Sequence, residues 1–200
     1  MLYKGMLGIV ITTIIIIALS YRGGLSGAQD STQTGAQMGI PPERVADIVH
    51  ALIQADRTFY TVHVVERLQQ MGIVVASENW KTEKTLPLPV QFLEESAKLV
   101  ANTPAKISYR LMSLWPINKR NGPKTEFDQA GLWETSQHPD HPYTGTVING
   151  QDVYFQTVYA DKAISQACIG CHNAHPDSSR RNFQMNDVMG GIFISIQIKH

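Results

Sequence analysis

The chain holds two cysteines, three residues apart, with a histidine directly after the second: Cys168-Ile169-Gly170-Cys171-His172. A pair this close cannot staple distant parts of a chain, so no disulfide framework shapes the fold and the thiols serve local chemistry. Four readings of that chemistry compete. Two thiols at this spacing reach the two vinyl groups of one haem, and the adjacent imidazole supplies a nitrogen to its iron. A structural zinc site would add His172 and His175 to the thiols, but those histidines lie too close to them for a finger. A thioredoxin-like dithiol belongs to a βαβ unit, which the sequence lacks. A plain surface pair needs no partner. Covalent attachment of one haem is favoured, because the opposite end of the chain points to export, and c-type haem is loaded outside the cytoplasm.

That second signal is a run from Met6 to Ser20 with no charge, rich in Ile, Leu and Val and preceded by Lys4. Its length lies between a signal-peptide core and the ~20 residues that span a bilayer. Ser26-Gly27-Ala28 offers small residues for cleavage, whereas Arg22 argues for an uncleaved anchor helix over residues 1–22. Either device exports the rest of the chain and leaves Lys4 in the cytoplasm. The expected place is a bacterial inner membrane, with the haem domain on its periplasmic side. Residues 23–40, rich in Gly, Ser, Thr, Gln and Ala, read as a flexible tether, and residues 41–200 as one domain. Lys+Arg and Asp+Glu both number 17, which excludes the basic surface that nucleic-acid binding needs.

Within the domain, Pro41-Pro42 opens a helical pattern that Gly72 ends. Val45, Ile48, Val49, Leu52, Ala55, Phe59 and Val62 recur at three- and four-residue steps and are expected to face the core. A second helix carries Leu93, Ala97 and Val100 and stops near Pro104. Strand patterns continue over 106–113, 144–148, 152–160 and 191–198, with Asn149-Gly150 as a hairpin turn. Helices first and antiparallel strands later make an α+β layer.

The other iron ligand is less constrained. His50 and His63 share the long helix but point about 140° apart, so one haem cannot face both. His63, nearer the apolar stripe, is the better distal candidate, against the plain alternative of a half-buried histidine satisfied by a carbonyl. His138 and His141 read as solvated turn residues, and His175 shapes the motif loop. Met71, Met112, Met185 and Met189 are further candidates, none distinguished from the others. Arg110, in a strand between Tyr109 and Leu111, is the best of Arg110, Lys119 and Arg120 to pair a haem propionate. Trp115, Tyr154, Phe155 and Tyr159 read as core or as walls of the cofactor site, with Tyr154 counted among the binding residues.

These residues also carry a resemblance. Leu86-Pro87-Leu88-Pro89-Val90-Gln91-Phe92, the stretch from Tyr109 through Trp115-Pro116-Ile117-Asn118, Asn121-Gly122-Pro123, Tyr154-Phe155-Gln156, the haem motif and Asp187-Val188-Met189-Gly190-Gly191 occur in one order. That order resembles a family of exported haem domains formerly catalogued as a domain of unknown function, and the likeness spans about residues 41–198. It implies a PAS-like fold, an antiparallel sheet flanked by helices with one c-type haem near its face. The resemblance also implies a second ligand from a cysteine in the helix before the Arg-containing strand; the matching region, around Pro89 to Phe92, has none. The iron is then open to a small molecule or ligated from elsewhere, as by His63.

Three functions are compatible with these readings. The favoured one is a membrane-anchored mono-haem electron carrier, serving as a subunit of, or partner to, a larger redox complex. The alternative is a haem-based sensor of redox state or gas that signals through a separate partner, since no transmitter pattern occurs before His200. An enzyme such as a peroxidase needs an acid/base pair that the sequence does not offer.

Overall fold

A computed structural model of the protein describes residues 39–199. The expected anchor and nearly all of the tether, together with His200, lie outside the described residues. Among those described, no helix is long and apolar enough to cross a membrane.

Helix α1 spans Pro42–Phe59, with proline in its first turn where the missing N–H costs nothing. It runs on through a π-helical segment, Tyr60–Glu66, and a last turn, α2, Arg67–Gln70. Gly72 then adopts φ +65°, and the N–H of Ile73 bonds to the carbonyl of Leu68, the left-handed stop expected from sequence. Two-residue strands β1 (Ala76–Ser77) and β2 (Leu86–Pro87) pair in parallel. Helix α3 is Pro89–Ala101, and the Gln91 side chain caps its start by accepting from the N–H of Leu88 (3.1 Å). Strand β3 (Ile107–Met112), a 3-10 turn at Lys119–Asn121, helix α4 (Glu126–Gln137), strands β4 (Tyr143–Asn149) and β5 (Asp152–Lys162), helix α5 (Gln166–Ala174) and strand β6 (Val188–Lys199) complete the domain.

The long strands form one antiparallel sheet in the order β3-β6-β5-β4. Alternation sends Ile192, Ile194, Ile196 and Phe155 to one face, under α1 and α3, and Phe193, Val158 and Met112 to the other, under α4. This is the α+β architecture read from sequence. The β4–β5 turn lies one residue later than expected, at Gly150-Gln151; of its two central residues Gly150 alone has positive φ (+63°), as a turn with glycine in first place requires.

Three local readings change. Helix α4 has no sequence expectation, because its apolar residues make no clear stripe; a capping box at Thr125 and Asp128 starts it. The Cys-x-x-Cys-His stretch lies in a helix, not a loop. On α1 the buried line is Ala46, Ile53 and Arg57, continued by Thr61 and Val65, whereas Ile48, Leu52, Ala55 and Phe59 point outward. Both faces of α1 are partly apolar, so spacing alone could not choose between them.

Candidate functional site

Helix α5 begins where the Ser165 hydroxyl accepts from the N–H of Cys168 (3.4 Å). At 100° per residue, Cys168, Cys171 and His172 fall within roughly 100° of arc, so a helix presents both thiols and the imidazole on one side. That side opens into a cavity of about 750 Å³ lined by all three residues. Both cysteines are free, Cys168 half-buried and Cys171 more exposed.

The cavity lies at one end of the sheet. Its walls are the N-terminus of α3 (Leu88 to Gln91), the end of β3 with the segment after it (Leu111 to Ser113, Pro116 to Asn118), Asn121, and Met189-Gly190 at the start of β6. Four of the stretches that carry the family resemblance thus meet here with the haem motif, although they are spread over a hundred residues. The remaining wall is Arg57, Thr61, Val65 and Gln69. In a straight α-helix each four-residue step drifts about 40° around the axis. The wider π turns between Tyr60 and Glu66 drift the other way, which keeps these four side chains on one face.

His172 is half-buried, and its Nδ1 is buried without a hydrogen-bond partner. Burial pushes its pKa down, helped by His175 and by Arg57. The imidazole therefore sits neutral, the form that binds a metal. Its ring meets the Phe183 ring edge-on, with centroids 5.8 Å apart. The neighbouring Asn173 clasps the Phe183 backbone from both ends: Nδ2 donates to the carbonyl and Oδ1 accepts from the N–H, each at 2.9 Å. Cys168 and Ile169, together with Trp115, pack against the buried cluster of Ala163, Phe183 and Met189, which holds the helix in place. Partial burial, then Glu78 and Cys168, raise the pKa of the Cys171 thiol.

Other expected site residues lie elsewhere. Arg110 does not reach the cavity. It projects on the α4 face of the sheet, pairs with the fully buried Asp128 and lies over the Phe193 ring (5.0 Å). Tyr154 is also absent from the lining; its hydroxyl donates to Asp152 (3.3 Å), and it alternates away from the buried Phe155. His63 is exposed beside the Phe59 ring (5.2 Å), because the core side of α1 is opposite the stripe that placed it inward. It is His50 that turns inward, stacked on Tyr159 at 3.9 Å. Of the methionines, Met112 and Met189 line the cavity, while Met71 and Met185 are exposed. His138 and His141 are exposed, and His175 accepts from the N–H of Asp177 (3.1 Å), shaping its loop.

Arg57 is the wall residue that sequence reasoning missed. It is buried, its guanidinium is paired with Asp161, and its Nε has no partner. A cation in line with Ala46, Val49 and Ile53 on one face of α1 was the available signal.

The donor set fits a haem held by the motif. Two free thiols and a neutral imidazole share one helix face, the imidazole carries an unsatisfied buried nitrogen, and the cavity volume is in the ordinary range for a ligand site. Among the described residues no three His, Cys, Asp or Glu side chains gather as a metal cage would require.

Comparison with known proteins gives one family. The family model Tll0287-like matches residues 39–197. The crystal structure of the cyanobacterial heme-protein Tll0287 is similar with a TM-score of 0.48 and 19% identity, over 80% of this chain and 99% of that one. No curated protein matches the chain.

Proposed function

This chain belongs to the Tll0287-like family, and from the site described above we propose that it carries one covalently bound haem as an exported, membrane-anchored electron-transfer protein. The observation that carries the reading is the shared face of α5: Cys168, Cys171 and His172 all open into one cavity.

In this reading Cys168 and Cys171 would hold the haem as two thioethers, each S–H adding across one vinyl group with no leaving group. His172 would supply a nitrogen to the iron, and Met189 and Leu111 would offer apolar contact to the porphyrin. When bound, the haem supplies reversible one-electron chemistry at its iron. The protein's part is to orient the imidazole through the Phe183 contact and to enclose the group between α1, α3, β3 and β6. The N-terminal apolar run would tether the domain to a bacterial inner membrane with the haem outside the cytoplasm, where a redox protein or complex exchanges electrons with it.

A sensor of gas or redox state is the second reading, and one observation favours it: among the described residues lining the cavity, His172 is the one histidine. An iron without a second imidazole would take the Met189 thioether or stay open. The full chain, expressed with a haem-attachment system, should show a Soret band and a mass increase of one haem, both abolished by replacing Cys168 and Cys171 with Ala. A low-spin spectrum unmoved by carbon monoxide supports the carrier; fast binding to the ferrous form supports the sensor. A mass equal to the polypeptide alone overturns both.

A further inference from the structure

The outward face of α1 is more apolar than a solvated helix needs. Ile48, Leu52 and Phe59 are 46%, 62% and 63% exposed, and Ala55 lies between the last two. These four positions run in steps of four, three and four residues, the a/d spacing by which one helix seats its side chains in holes of another. The stripe lies nearly opposite Ala46, Ile53 and Arg57, so it contributes nothing to the core of its own domain. No charge interrupts it. A contiguous patch of this kind marks a contact surface, whereas scattered apolar residues would not.

We propose that α1 pairs with α1 of a second copy of this chain, in antiparallel orientation. Size complementarity selects both the occupant and the direction. With the two helices crossing between Ile53 and Gln54, Leu52 of one chain faces Ala55 of the other at the centre, where the small residue leaves the large one room, and Ile48 faces Phe59 at either end. Parallel pairing would set Phe59 against Phe59 and leave a gap between two alanines.

The sequence before α1 is compatible with this arrangement. The crossing point lies about 17 Å from the start of α1, so the N-termini of the antiparallel pair lie roughly 35 Å apart. Residues 23–40 could extend up to ~60 Å, which lets both copies return to one membrane. The interface is small, and two copies confined to one bilayer would meet at a raised effective concentration.

The test uses the full chain in detergent micelles. Its mass by light scattering should be that of a dimer, and Leu52→Glu, a change at an exposed position that leaves circular dichroism unchanged, should yield a monomer. Oxidising a mixture of Ile48→Cys and Phe59→Cys chains should cross-link 48 to 59. Tryptic mass mapping identifies that link, because the two positions fall in different peptides and neither contains Cys168 or Cys171. A monomeric full chain, a dimer indifferent to Leu52→Glu, or 48-to-48 and 59-to-59 links each overturn the proposal. So does a monomer that leaves lipid vesicles only when Leu52→Glu is introduced, since the stripe would then cover lipid.

Discussion

Arg57 and Asp161, 104 residues apart, meet as a two-pronged ion pair at the cavity wall: Nη2 donates to Oδ2 at 3.1 Å, and Nη1 lies 3.0 Å from Oδ1. The residues are 5% and 3% exposed. Burial pushes the Asp161 carboxyl up, against the downward pull of the guanidinium. The pair ties α1 to β5 beside the motif helix.

Removing one partner strands a buried charge, so Asp161→Ala should cost ~3–5 kcal/mol in urea unfolding. Replacing both, Arg57→Met with Asp161→Leu, should recover most of that loss. A double variant that costs as much as Arg57→Met and Asp161→Leu added together would show that the two groups do not act as a pair.

Asn173 is expected to secure the segment before β6 to α5. Asn173→Ala leaves the buried Phe183 N–H and C=O without their side-chain partners, at ~1–3 kcal/mol. Hydrogen exchange at the Phe183 amide should accelerate; unchanged protection there would refute the assignment.

Two glycines should respond oppositely to alanine. A Cβ on Gly190 would run into the carbonyl oxygen of Met112, and the β3–β6 pairing leaves that oxygen little room to move. Gly190→Ala should destabilise by ~1–3 kcal/mol or more. At Gly170, inside α5, a methyl group would meet nothing within 4 Å, so Gly170→Ala should stabilise by up to ~1 kcal/mol. Thermal melts of both variants check the pair.

His50 makes stability depend on pH. Burial, opposed by Asp47, holds its pKa below the ordinary histidine value. An unfolded chain gains a proton near pH 6.5 that the folded chain takes up only at lower pH. Its contribution is therefore fully present above about pH 6.5 and is lost as pH falls through the folded value. His50→Phe keeps a ring against Tyr159 and should flatten the decline in urea midpoint between about pH 7.5 and 5; an unaltered slope would count against His50.

Much of this architecture was legible in local chemistry. Proline at the start of α1 and Gly72 at its end act through their own backbones, the period-two strands announce their two faces, and Gly150 supplies the positive φ of its turn. The motif brought its own thiols and imidazole together, because their placement on one side of a helix depends on spacing within five residues. What tertiary packing decided is which apolar face turns inward. On α1 both sides satisfy the same periodicity, and contact with Phe155 and the β6 isoleucines selects one, carrying Arg57 to the cavity and turning His63 to solvent. Arg110 was equally undetermined, since a cation's partner can lie anywhere in the chain, and Asp128 claims it on the far side of the sheet. Short-range backbone and spacing rules are written in sequence; burial and charge pairing arise when distant segments meet, and those meetings give the site its walls.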